Sequence, residues 1–227
     1  KEFDILQGQN IFKTVYIGGG TPSALNESQL EKLLSFVIRY IPASEIREYT
    51  VEINPGTLTK DKVALLKEYS VNRISLGVQS FQQHQLKLLG RIHSGDDARE
   101  AFVLLRTGGF QNINIDLIFG CPEQTFDDWE KDIRTAVELN PEHLSTYALT
   151  YEEGTPLAND LKNEVVHKLE EFVELEMYKM AIGYLTRNRY NHYEISNFAK
   201  DEYECSHNLV YWENKGYIGI GAGAYSF

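Results

Sequence analysis

Four segments of the chain alternate apolar and polar residues, and each ends in a polar or glycine-rich turn: TVYIGGGTPS (14–23), YTVEINPG (49–56), RISLGVQSF (73–81) and NINIDLIFGCPEQT (112–125). Successive side chains of a strand point to opposite faces, so Tyr49, Val51 and Ile53 form one apolar row while Thr50, Glu52 and Asn54 look the other way. The same phase sets Ile74, Leu76 and Val78 against Ser75, Gly77 and Gln79, and Ile113, Ile115 and Leu117 against Asn114, Asp116 and Ile118. One row packs on helices and the other lines an interior. A carboxylate inside a sheet costs several kcal/mol unless a partner or ligand compensates it. Glu52 and Asp116 on the inner row therefore point to a bound polar ligand.

Helical patterns separate these strands. A helix is predicted from about Glu27 to Tyr40, with Leu30, Leu33, Leu34, Val37, Ile38 and Ile41 on one face and Asn26 or Ser28 as its cap. Thr59 starts a second, whose apolar side includes Val63, Leu65 and Leu66. Helices follow near Gln83–Leu89 and, capped by Ser94, near Asp96–Arg106. Thr125 begins another that runs to about Leu139, with Asp127 and Asp128 in its first turn. A fifth strand spans His143–Leu149.

Strands that alternate with helices imply parallel pairing, either in a doubly wound sheet or in a barrel. A doubly wound sheet has helices on both faces and nearly continuous apolar strands. Here one face carries Thr50, Glu52, Ser75, Gln79, Asn114 and Asp116, so the expected fold is α/β, a curved, partial (β/α) barrel. It occupies residues 1–150. A C-terminal extension, 151–227, holds a long amphipathic helix from about Glu164 to Arg187, with Leu169, Phe172, Val173, Leu175, Met177 and Ile182, followed by an aromatic and glycine-rich tail from Tyr190.

A chain of 227 residues, 42% hydrophobic, can bury a full core. Its 33 acidic and 22 basic residues leave a formal charge of −11, which disfavours the long-range steering used to bind nucleic acid. No stretch approaches the roughly 20 apolar residues of a membrane span, and the N-terminus, KEFDILQGQN, is unlike a secretory leader. Two cysteines, Cys121 and Cys205, are too few for a disulfide scaffold. A reducing, cytoplasmic setting is expected.

In α/β barrels ligands bind at the C-terminal ends of the strands, where Glu52, Gln79 and Asp116 stand. Gly18, Gly19 and Gly20 end the first strand, and a backbone without Cβ atoms can approach a ligand closely or simply turn the chain. Each residue has a plainer use: a salt bridge of Glu52 with Arg73, a structural role for Asp116, an internally satisfied amide for Gln79, a surface charge for Arg91. Neither cysteine sits in a metal-type spacing.

The ordered set GGGTPS, EINPG, RISLGVQSF, LGRIH, DLIFG.P and HN..YW resembles the radical S-adenosylmethionine (SAM) enzymes related to oxygen-independent coproporphyrinogen III oxidase, and most of all the HemW branch of haem chaperones. The likeness runs from about Thr14 to Phe227. It implies a SAM molecule across the barrel mouth, held at Gly19, Gly20, Thr21, Glu52, Gln79, Arg91 and Asp116, with Arg91 on its methionine carboxylate. It also implies haem or porphyrin at the HNxxYW element, with His207 as the candidate iron ligand, and delivery of haem to acceptor proteins, membrane-associated ones included.

The family carries a CxxxCxxC loop after its first barrel strand, whose thiolates hold a [4Fe-4S] cluster. This chain lacks that loop and begins at what resembles the second strand. It also stops before the relatives' C-terminal helical domain. The cluster ligands are thus expected outside the chain, in residues truncated or disordered, and the chain alone is expected to lack radical chemistry. Tyr225 stands where relatives commonly have a histidine. The leading expectation is a HemW-like haem chaperone. The alternatives are a coproporphyrinogen III dehydrogenase that decarboxylates two propionates by 5′-deoxyadenosyl radical chemistry, and a metal-free barrel that binds a small anion at the glycine turn.

Overall fold

The computed structural model describes residues 12–227; residues 1–11, which include the leader-unlike N-terminal sequence, lie outside them. Five parallel strands, β1 (Thr14–Ile17), β2 (Glu48–Ile53), β3 (Arg73–Gln79), β4 (Ile113–Phe119) and β5 (His143–Ala148), pair in sequence order. Two short strands, β6 (Asn191–His192) and β7 (Asn197–Ala199), extend the sheet antiparallel, in the order β1-β2-β3-β4-β5-β7-β6. The sheet is open, with β1 and β6 at its edges. This is the partial barrel that the alternation predicts.

The outer row of the strands forms the core. Tyr49, Val51, Ile74, Leu76, Ile113, Ile115, Leu117 and Leu144 are buried against α1 (Glu27–Tyr40), α2 (Lys60–Glu68), and, after the short α3 (Gln83–Leu88), against α4 (Gly95–Thr107) and α5 (Phe126–Leu139). Three of these helices start in full capping boxes, Asn26 with Gln29, Ser94 with Asp97 and Thr125 with Asp128, each cap contributing about 1 kcal/mol. Their register is therefore set at the strand ends, where the inner row opens.

The C-terminal part departs from the sequence expectation. The helix expected from about Glu164 starts only at Glu171, as α7 (Glu171–Arg187), and a further helix, α6 (Pro156–Lys162), precedes it. Thr155 caps α6 by accepting from the Ala158 N–H, with Pro156 at its first position. Glu164 ends it in the left-handed region, φ 58°, and the Val165 N–H closes on the Asp160 carbonyl. α7 buries Met177, Ala181 and Leu185, one residue per helical turn, whereas Phe172 and Leu175, expected on its apolar side, are exposed. β6 and β7 hold two and three residues, too few for a visible alternation.

The last helix, α8 (Ser206–Trp212), packs against β1. Glu48 of the inner row seats it: the carboxylate accepts from the Ser206 and His207 N–H groups at 2.8 and 2.9 Å. A carboxylate at a helix N-terminus compensates the unpaired donors there. Among the described residues no helix is long and apolar enough to cross a membrane.

Candidate functional site

A cavity of about 380 Å³ opens at the C-terminal ends of the strands, within the range of about 300–1,000 Å³ typical of small-molecule sites. Gly20, Thr21, Glu52, Gln79, Arg91 and Asp116 all line it. Six of the eight sites expected from sequence thus share one opening. Gly19 is adjacent, its N–H donating to Glu52 Oε2 at 3.2 Å.

The other oxygen of Glu52, Oε1, accepts from the Tyr16 hydroxyl at 2.9 Å. The internal salt bridge with Arg73 does not form among the described residues. Tyr16 sits on the inner row of β1 and was legible from the TVYI alternation, yet only the structure singles it out. Gly18 explains how the carboxylate fits. A Cβ built there would meet the Glu52 carboxyl group at 2.6 Å, closer than real Cβ contacts allow. Gly18→Ala is expected to expel the Glu52 carboxylate from its place, reducing affinity for a cationic ligand at least tenfold while thermal unfolding shifts by only a few degrees; unchanged affinity in a calorimetric titration would defeat this account.

Asp116 accepts from Ser75 Oγ at 2.9 Å and from Asn114 Nδ2 at 2.8 Å. Burial raises the pKa of both carboxyl groups. For Glu52 the Tyr16 hydrogen bond opposes the rise and the charge of Asp116 adds to it; for Asp116 the bonds from Ser75 and Asn114 oppose it. The Tyr16 hydroxyl is pushed far above its ordinary value by burial and by Glu52 and Asp116. Two carboxylates that repel each other in one partly dry space favour a cation between them.

Arg91 reaches the same space by a different route. Gly90, at φ +66°, closes α3 in a Schellman turn: its N–H bonds the Lys87 carbonyl and the Arg91 N–H bonds the Leu86 carbonyl. The reversed chain delivers Arg91 to the cavity wall, where its Nε is buried without a hydrogen-bond partner. Such a donor calls for an acceptor. Gln79, also on the wall, has φ +69° at a register shift between β3 and β4, a conformation that costs a non-glycine residue about 1–2 kcal/mol.

Acceptors for cationic groups, an unpaired guanidinium donor and a glycine turn with open space beside Gly19 and Gly20 fit a ligand such as SAM, which carries both positive groups and a carboxylate. The described residues do not fit an iron–sulfur cluster. None of them form a group of three metal-ligating side chains, and the two thiols are buried, Cys121 pushed up to about 12 and Cys205 to about 11.

His207 lies apart from the cavity, behind Tyr16, on whose ring it stacks with centroids 5.2 Å apart. Its Nδ1 is 3.0 Å from Thr14 Oγ1 and its Nε2 is 2.9 Å from the Tyr211 hydroxyl. Both partners are hydroxyls and serve either tautomer; in the one protonated on Nδ1, Nε2 presents its lone pair to the hydroxyl of the exposed Tyr211 ring. Burial lowers the His207 pKa, which keeps the imidazole neutral and able to ligate.

Residues 1–136 match the Radical SAM superfamily. The chain belongs to that superfamily. It is 42% identical to the heme chaperone HemW of Bacillus subtilis (strain 168) over 221 residues, 97% of this chain and 58% of that protein. With HemW of Escherichia coli (strain K12) the identity is 41% over 219 residues, 96% of this chain and 57% of that protein. The radical SAM member thus spans rather more than half the length of these curated relatives. Its fold is similar to part of the E. coli coproporphyrinogen III oxidase HemN, a radical SAM enzyme, with a TM-score of 0.79 at 23% identity over 94% of this chain and 52% of that one.

Proposed function

We propose that this chain is the SAM-binding partial barrel of a HemW-like haem chaperone, which holds SAM in the cavity, binds haem at the HNxxYW helix and hands it to acceptor proteins. The observation that carries the reading is the convergence of Gly20, Thr21, Glu52, Gln79, Arg91 and Asp116 on one cavity, in a chain 42% identical to a heme chaperone. In this reading Glu52 and Asp116 face the positive groups of SAM, and the unpartnered Arg91 Nε takes its carboxylate. Bound SAM supplies a methionine and an adenosine group to the mouth of the barrel. The cluster would take its ligands outside this chain.

The protein's own residues have separable tasks. The Gly18–Gly20 turn and Thr21 shape one wall, tied to the loop after β2 by Ser23, which accepts from the Asn54 N–H at 2.9 Å. Lys62, buried beneath them, donates to the carbonyls of Ser23 and Thr57. Thr14 orients His207.

Titration with SAM by calorimetry tests the first half: saturable binding is expected, weakened at least tenfold by Arg91→Ala, and no binding by the folded protein would overturn it. Haem titration followed at the Soret band tests the second. His207→Ala is expected to abolish the shifted band, while Tyr211→Phe, which frees Nε2, keeps or strengthens it. An unchanged band in His207→Ala would remove His207 as the ligand.

A further inference from the structure

The loop that leaves β3 is held by a residue no motif marks. Asp132, on α5, is fully buried, and among the described residues the hydrogen bonds to its carboxylate come from three consecutive residues. Oδ2 accepts from Ser80 Oγ at 2.6 Å; Oδ1 accepts from the Phe81 N–H at 2.8 Å and from Gln82 Nε2 at 3.0 Å. No cation pairs with it among the described residues. Burial pushes its pKa up to about 6 against these three donors, with Asp128 adding to the rise, so the loop itself is what holds the charge.

The residue just before the three donors is Gln79, strained at φ +69° on the cavity wall. Such a conformation persists only where the surroundings over-determine it. The surroundings here are specific. The Ser80 N–H bonds the Val78 carbonyl, and His93, two residues from Arg91, places Nε2 at 3.0 Å from the same carbonyl. Gly95, at the start of α4, allows the Phe81 carbonyl to within 2.5 Å of where a Cβ would stand. Asp132 is the one member of this clamp that comes from α5, across the core.

We propose that Asp132 is a positioning residue, which by fixing Ser80, Phe81 and Gln82 holds the Gln79 amide in the cavity for the bound ligand. The inference rests on the reading of the cavity as a SAM site, and it predicts a non-additive pattern. Asp132→Asn removes the charge and replaces one acceptor oxygen by an amide N–H, which either opposes the Phe81 and Gln82 donors or obliges the Ser80 hydroxyl to accept instead of donate. SAM affinity is expected to fall roughly tenfold in the otherwise native protein and by less than about twofold when Gln79 is already alanine. A merely structural role would give equal losses in both backgrounds, and that result overturns the proposal.

A second measurement needs no ligand. In the free protein the side-chain amide signals of Gln79 in a ¹⁵N-correlated NMR spectrum are expected to shift and broaden in Asp132→Asn, and in Ser80→Ala should the first variant not fold. Unperturbed Gln79 signals would overturn the proposal even if SAM binds. Perturbed signals without any SAM binding would support the positioning and count against the cavity's assigned ligand instead.

Discussion

Glu52→Gln is expected to make the free protein more stable and its cavity a worse host for a cation. The carboxylate sits in a partly buried space with Asp116, and burial first, then the neighbouring charge, raise its pKa. Removing the charge removes both penalties. The amide keeps an acceptor for the Tyr16 hydroxyl, and the Gly19 N–H that loses its partner is exposed to water. Thermal unfolding is expected about 2–4 °C higher, the shift that about 1 kcal/mol produces in a protein of this size. Affinity for SAM should fall about 10- to 100-fold, the usual worth of a charge-assisted contact. A variant less stable than the parent with undiminished affinity would contradict the electrostatic account of the site.

The pH dependence has a definite sign. A carboxyl group whose pKa is higher in the folded than in the unfolded protein makes the folded state bind more protons, so stability falls as pH rises through the window between the two values. Glu52, Asp116 and Asp132 are all raised. For Asp132 the window runs from the ordinary carboxylate range, near about 4, up to about 6. All three therefore cost the free protein stability as pH rises through their windows, and for Asp132 that cost is in place above about 6. A bound cation reverses the trend for Glu52 and Asp116, and that opposition is the mark of a site built to receive charge.

The parallel sheet and the shared cavity were legible because they rest on period-two alternation over six or seven residues, which fixes the face of the side chains in β2, β3 and β4. Helix starts were legible for a similar reason: Asn26, Ser94 and Thr125 announce themselves by residue type and by the Gln or Asp three positions on. Arg91 could not be found by phase. It lies on no strand, and only the Schellman turn at Gly90 brings it to the wall. Tyr16 and Tyr147, which also line the cavity, were readable in principle, since both lie on the inner row, but an aromatic residue in a strand reads first as core. The antiparallel strands β6 and β7 escaped because two or three residues carry no period, and the left-handed Glu164 that divides α6 from α7 leaves no mark in composition. His207 was placed by motif alone. Its seat depends on Glu48, Thr14 and Tyr16, which are more than 150 residues distant in the chain.

Asn114→Leu is expected to be among the most destabilising single changes in the molecule. Asn114 is buried, and its side chain makes four hydrogen bonds. Oδ1 accepts from Ser145 Oγ at 3.1 Å and pairs with His143 Nδ1 at 2.7 Å; Nδ2 donates to Ser75 Oγ at 2.7 Å and to Asp116 Oδ1 at 2.8 Å. His143 is neutral, its pKa held well below the ordinary range by burial and by the charge of Arg73. Its Nε2 accepts from the Tyr193 hydroxyl at 2.8 Å, whose oxygen in turn receives the Cys205 N–H at 3.3 Å. One amide thus orders a polar chain from the start of α8 to the cavity carboxylate.

Leucine has a similar volume but offers none of these groups, and it strands His143 Nδ1 and Ser145 in the interior. With about 1 kcal/mol for each lost bond and a further penalty for buried groups left unpaired, the loss comes to about 3–5 kcal/mol. That corresponds to a melting point lower by about 10 °C. Asn114→Asp separates shape from donation. It keeps the acceptor for His143 and Ser145 but sets a second carboxylate against Asp116 and removes both donors, so it too should be strongly destabilised at neutral pH and should recover as the pH falls and one proton is shared between the two acids. A loss under about 1 kcal/mol in Asn114→Leu, or an Asn114→Asp variant indifferent to pH, would mean that the inner row is held by packing and water instead of by this network. Asp116 would then owe its orientation to the bound ligand, not to the protein that receives it.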